Sequence, residues 1–352
     1  MQFLEEVLLT TDNSNGDPKV VYQFLGANLE KLDDNFIDIL QTLASAKLSE
    51  AQPETAEAIA AVIGEFSTLI SDFPLGNRAN NMDIAIAGYE QVLKVFTRES
   101  NPESWATIQN NLANVYTDRI RGDRAENIEK AIAQYQLALS VYSKEDFPID
   151  WAMTQNNLAN SYKNRIRGDR AENLELAISQ YQLALSVYSK SDVPQDWAMT
   201  QNNLGNAYKN RICGDRAENI EKAIFQYQLA LSVHTKSDFP IEWAMTQANL
   251  GTAYCDRIDG DRAENLELAI EAFQLALAVY TKEDFSYEWA QTKNHLGEAY
   301  RNRIRGDRAE NLDLAISQYQ LALSVYTKAD FPMEWEMTQN NLTIADSDRR
   351  IL

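Results

Sequence analysis

The chain has 352 residues, 45% of them hydrophobic, with only eight prolines and thirteen glycines. That is enough apolar material for an extensive core, and too little turn chemistry for an all-β fold or for long disordered linkers. Its 52 acidic residues against 32 basic ones give a net charge of -20, which disfavours binding to phosphate backbones and to anionic membrane surfaces.

The first residues, MQFLEEVLLTT, place glutamates inside the apolar run and have no positive leader, so they do not read as a secretory signal. Thr10 to Pro18 (TTDNSNGDP) is a break. Val20 to Leu32 and Phe36 to Leu43 have the spacing of amphipathic helices, with Asp33 or Asp34 placed to cap the second. Residues 1–58 do not repeat and are expected to form a helical N-terminal cap.

From there on the chain is periodic. All six tryptophans, Trp105, Trp151, Trp197, Trp243, Trp289 and Trp335, stand 46 residues apart, and Gly122, Gly168, Gly214, Gly260 and Gly306 keep the same period. Within a unit, Trp105, Ile108, Leu112, Tyr116 and Ile120 follow one another at three or four residues, the stripe of an α-helix (helix A). Pro148 suits a helix start, and Arg165, Arg167 and Gly168 suit a helix stop. Asp169 and Glu172 form a capping box for a second helix (helix B), with Asn173 as an alternative cap. Helix B carries Ala177, Tyr181, Ala184, Leu185 and Tyr188. Neither helix can bury its stripe alone, so the units must stack. The expected organisation is a degenerate repeat over 59–104, five full repeats over 105–334, and a capping helix over 335–352.

Leu204-Gly205 followed by Tyr208, and Ala223, Tyr227 and Ala230 after them, resemble the two helix signatures of the tetratricopeptide (TPR) family. The unit departs from the ~34-residue form of that family by extra residues around GDRAEN and by a delayed proline such as Pro240. This longer form is similar to the arrays that often precede a CHAT protease domain in cyanobacterial proteins, and to the repeats of kinesin light chain. The resemblance implies an all-α fold, an α-solenoid wound as a right-handed superhelix of helix pairs, and a non-catalytic scaffold that binds an extended peptide or protein in its concave groove. The alternatives are a regulatory arm of a separate effector, such as a CHAT-type protease, and an end-to-end self-assembly module that would make the protein a homo-oligomer.

Helix A carries a second, amide-rich face. Asn111, Asn157, Asn203 and Asn249 precede the signature leucine; Asn110, Asn156, Asn202 and Asn294 lie one place earlier; Asn114, Asn160 and Asn206 come three residues after the first set. Lys163, Lys209 and Arg301 extend the same face. In the resembling families this face lines the groove, and an amide can pair with both N–H and C=O of a bound backbone. The competing reading is that these asparagines bond to neighbouring helices and fix the stacking. Ala248, Thr252, His295 and Glu298 interrupt the pattern and would mark one edge of a footprint.

No catalytic group, metal site or cofactor is expected. His234 replaces a recurring tyrosine (Tyr142, Tyr188, Tyr280, Tyr326) and reads as packing, while Cys213 and Cys255 form no framework and point to a reducing, cytoplasmic location. The RGD triplets at 121–123, 167–169 and 305–307 have structural roles as helix-end charge, glycine stop and N-cap. Arg119, Arg165, Arg211, Arg257 and Arg303 are expected to pair with the loop glutamates Glu126, Glu172, Glu218, Glu264 and Glu310, with an anion-binding row as the alternative.

Overall fold

A computed structural model describes residues 2–352, and among these the regular structure is entirely helical. The described chain forms two compact bodies, Met1–Val187 and Tyr188–Leu352.

The first body opens with α1 (Gln2–Asn13), α2 (Pro18–Gly26) and α3 (Asp34–Glu50). α1 adds an element to those expected from the sequence; it buries Leu4, Val7 and Thr11, a single stripe. The run expected to be helical over 20–32 is split, α2 ending at Gly26 and a short 3-10 turn following at Leu29–Lys31. Asp33 caps α3 by accepting from the Phe36 amide at 2.9 Å. Phe3 stacks on Phe24 at 5.7 Å and meets Phe36 at 5.3 Å, and Phe36 meets Phe66 edge-on at 6.2 Å, so aromatic packing joins this segment to α4 (Pro53–Asp72). Helix pairs follow: α4 with α5 (Arg78–Val92), α6 (Pro102–Asp118) with α7 (Arg124–Ala138), and α8 (Pro148–Asn164) with α9 (Arg170–Leu185). The second body contains α10 (Pro194–Lys209) with α11 (Arg216–Leu231), α12 (Pro240–Asp256) with α13 (Arg262–Ala276), α14 (Ser286–Asn302) with α15 (Arg308–Leu323), and α16 (Pro332–Ile351). In each body successive pairs stack as in an α-solenoid.

One local code sets each pair. The helix-B cap is the aspartate: Asp123, Asp169, Asp215, Asp261 and Asp307 accept from the amide three residues on, at 2.7 to 2.9 Å. Asn173, the alternative cap, has a different task. It is buried and donates to the Arg167 carbonyl at 2.9 Å, pinning the loop, which turns through Gly168 at φ 80°. The residues RAEN after each aspartate are the first turn of helix B rather than part of the linker. Ile120, expected at the end of the helix-A stripe, lies past the helix end and is 61% exposed, because the chain has already turned away from the core.

Helix B presses an aromatic ring into helix A. Tyr135, Tyr181, Tyr227, Phe273 and Tyr319 are buried, facing Ala113 and Ala159 in the first body's repeats and Gly205, Gly251 and Gly297 in the second's. A Cβ on Gly205 would come within 2.7 Å of the Tyr227 ring, so at this separation any side chain would force the ring to shift.

The recurring arginines do form ion pairs, but with other partners than expected. Arg119 meets Asp83 at 2.8 Å, Arg165 meets Glu129 at 2.7 Å, Arg257 meets Glu221 at 2.6 Å and Arg303 meets Glu267 at 2.8 Å, each a helix-B acid of the preceding unit. The loop glutamates serve elsewhere, as where Glu126 pairs with Lys130 at 2.9 Å and Glu218 with Lys222 at 2.8 Å. Partly exposed pairs contribute at most about 1 kcal/mol each, so they set register while apolar burial holds the stack.

Trp289 touches two clusters, one around Ala244, Ala276 and Tyr280 and one around Ala290, Ala322 and Tyr326. It is half-buried, with Lys282 and Lys293 over its ring at 5.9 and 5.5 Å. Trp289→Ala should destabilise the second body by about 2–4 kcal/mol, somewhat below the cost for a completely buried ring. The exposed Ile304→Ala should cost less than about 0.5 kcal/mol. Denaturant melts of both variants check this pair; equal costs would mean that the tryptophan does not join the units.

Candidate binding face

In the first body the amide face is built by α6 and α8. Asn110 is buried; its amide reaches the Asn111 side-chain oxygen at 3.5 Å, and its own oxygen accepts from the Thr154 hydroxyl at 3.2 Å. Asn111 stands beside the Tyr89 hydroxyl, itself paired with Thr68 Oγ1 at 2.8 Å. Asn114 accepts from the Tyr135 hydroxyl at 2.6 Å and from Asn157 Nδ2 at 3.2 Å. Asn156 donates to Asn157 at 3.3 Å, and Asn160 accepts from Tyr181 at 2.6 Å. Lys163 makes no side-chain hydrogen bond among the described residues, and burial, with the Arg170 guanidinium second, pulls its pKa below the ordinary lysine value.

In the second body α10, α12 and α14 continue the pattern. Asn202 is buried and accepts from Asn249 Nδ2 at 3.0 Å, leaving its own amide N–H group unpaired. Asn206 accepts from the Tyr227 hydroxyl at 2.8 Å. Asn294 is buried and accepts from Asn341 at 3.4 Å. Asn203 is half-buried and makes no side-chain hydrogen bond among the described residues. Lys209 donates to Thr252 Oγ1 at 3.0 Å, and burial lowers its pKa. Arg301 Nε is unpaired.

The face therefore combines two kinds of amide. Asn110, Asn202 and Asn294 are turned into the stack, and Asn114, Asn160 and Asn206 hold the helix-B tyrosine hydroxyls. Asn203 and Lys163 keep free donors. A pairing of tyrosine with asparagine 21 residues earlier is the signal in the sequence for the holding role: where the fourth unit has Phe273, it has Thr252 instead of asparagine. In the fifth unit Glu298 stands at that place and the Tyr319 hydroxyl has no partner. His234 is buried beside Phe239 at 5.9 Å, much as Tyr280 lies beside Phe285 at 5.6 Å, in keeping with a packing role. Among the described residues no group of His, Cys, Asp and Glu is arranged to hold a metal ion, and no helix is long and apolar enough to cross a membrane.

Residues 105–147 match the tetratricopeptide repeat, and the units after them repeat that segment at 46 residues. The repeat unit is thus similar to the tetratricopeptide repeat. The chain's fold is similar to that of a chain in the APC/C hetero-tetramer Cut9–Hcn1, at 17% identity and TM-score 0.55 over 97% of this chain and 52% of that one. The chain thus spans about half the length of that neighbour. It is also similar to the apo form of RapI, at 14% identity and TM-score 0.55 over 90% of this chain and 83% of that one. A Rap protein complexed with competence and sporulation factor matches at 12% identity and TM-score 0.50 over 98% and 96%. No curated protein matches the sequence.

His295, which replaces an asparagine of the helix-A amide face, lies 5.9 Å from the Phe273 ring; burial, and secondarily the Lys209 charge, lower its pKa from 6.5 to about 4. A lowered histidine pKa means that the unfolded chain takes up the proton first. Stability should therefore fall as pH drops from 6.5 to about 4, with no further loss from this group below. His295→Asn should remove that part of the slope. Denaturant midpoints at neutral pH and at about pH 5, between the two values, check it; identical slopes in both proteins would refute it.

Proposed function

We propose that this protein is a non-catalytic scaffold whose helix-A face holds a protein or peptide partner in extended form. The observation that carries this reading is the coexistence, on the helix-A face of each body, of asparagines bonded within the fold and of a donor left free, Lys163 in the first body and Asn203 in the second. An amide fixed by its neighbours is a poor ligand group, whereas a free amide on a rigid helix is already oriented to pair with a peptide backbone. Lys163 and Arg301 supply cations that can meet carboxylates of the bound chain. The structural neighbours support the class: Cut9 is found with Hcn1, and a Rap protein with competence and sporulation factor.

The contact residues on this reading are Lys163 in the first body and Asn203 and Arg301 in the second, while Asn157 and Asn249, whose amide groups are bonded to Asn114 and Asn202, flank them. Asn114, Asn160 and Asn206 act indirectly, by fixing the tyrosines beneath.

Two alanine variants separate binding from stacking. Asn203→Ala should leave stability unchanged or slightly raised, since alanine is the better helix former, and should weaken partner binding by about 0.5–1.5 kcal/mol. Asn206→Ala should cost about 1–3 kcal/mol of stability by leaving the buried Tyr227 hydroxyl unpaired. Ligands selected from a displayed peptide library, with affinities read by fluorescence anisotropy and stabilities by urea melts, provide the measurement. Unchanged affinity in Asn203→Ala would remove this amide from the binding face.

A further inference from the structure

Five departures from the repeat meet at one cavity. Thr252 stands where Asn114, Asn160 and Asn206 stand in earlier units, Cys255 where Lys163 and Lys209 stand, and Phe273 where Tyr135, Tyr181 and Tyr227 stand. Each of the three is shorter than its counterpart and lacks that residue's polar end. His295 replaces asparagine, and Glu298 replaces asparagine with a charge. All five line a cavity of about 220 Å³, together with Lys209, Asp256, Arg262 and Asn302. The space is thus made by the substitutions, since in the second and third units a tyrosine–asparagine hydrogen bond and a lysine, Lys163 or Lys209, occupy the corresponding positions.

The charges of the lining are not all spent. Asp256 pairs with Arg216 at 3.2 Å, and Arg262 donates to the Cys255 carbonyl at 2.5 Å. Lys209 has only the neutral Thr252 hydroxyl as partner, at 3.0 Å. Glu298, exposed at the solvent side of the cavity, forms no ion pair, and His295 forms no hydrogen bond, among the described residues. One cation and one carboxylate are therefore left facing the same small polar space, with the Phe273 ring and the Cys255 thiol as its apolar part. Burial, reinforced by Glu298, raises the Cys255 pKa to about 12, so the thiol stays neutral and adds no charge.

We propose that this cavity binds a small zwitterion of the α-amino acid class, its carboxylate on Lys209 Nζ and its ammonium on Glu298. A zwitterion supplies a partner for each unspent charge without adding net charge to a partly desolvated site. A simple anion would leave Glu298 unanswered, and a simple cation would leave Lys209 so. The site is independent of the peptide-binding reading, because it depends on departures confined to the fourth and fifth units.

The test is thermal shift and calorimetric titration of the full chain with each of the common α-amino acids at millimolar concentration, alongside propionate and propylamine, which carry one charge each. At least one amino acid should bind and raise the melting temperature, while propionate and propylamine should not. Lys209→Met and Glu298→Gln should each weaken binding about tenfold or more, as loss of a charge-assisted hydrogen bond requires. The variant Thr252→Asn, Cys255→Lys, Phe273→Tyr refills the cavity with residues that the other units already accommodate, and it should abolish binding. The proposal is overturned if no amino acid binds, if propionate binds as well as the amino acid, or if either single-charge variant binds as the parent protein does.

Discussion

The seating of one aromatic ring from helix B against a small residue of helix A is the contact on which the rest of this structure depends. Tyr135, Tyr181, Tyr227, Phe273 and Tyr319 are all buried, opposite alanine or glycine. Each ring buries enough apolar surface to dominate the energetics of its unit, and each fixes how far apart the two helices lie. The hydroxyl then needs a partner, which brings an asparagine to helix A; that asparagine in turn shapes the outer face. The amide chemistry of the face is in this sense a consequence of a packing requirement.

Much of the fold could be read from the sequence. The tryptophan and glycine periods gave the units, and the D-x-x-E pattern gave the helix-B starts, because both are local signals with a direct backbone cause. The partners of the recurring arginines could not be read in the same way. Glu126 and Glu129 both recur, or are replaced by aspartate, at the same period, so periodicity alone does not distinguish a loop acid from a helix acid three residues on. Only the tilt of one helix against the next does, and it brings Arg165 to Glu129. α1 was not legible because its stripe of about three turns holds glutamates at the solvent edge and lies beside a turn-rich segment.

The candidate site was legible at the level of which face carries amides, and not at the level of which amides are free. An asparagine bonded to a tyrosine and one open to a ligand look alike in sequence when every unit carries both. What separates them is the companion residue 21 positions later, a relation that becomes visible only where it fails, at Phe273 and Tyr319. The same failures single out the cavity at Lys209 and His295, so departures from a repeat carry more information about specificity than the repeat does.

The arginine ladder has a consequence for how such a chain can change in length. Each pair joins residues 36 apart, as in Arg119–Asp83, Arg165–Glu129, Arg257–Glu221, Arg303–Glu267 and Arg349–Asp313. Duplication or excision of a whole 46-residue module by unequal crossing-over recreates every such pair at the new junction. An insertion of any other size inside the span would misalign one arginine with its acid. Growth in whole modules is therefore nearly neutral for folding, and the length of the amide-bearing face can vary while each junction stays intact.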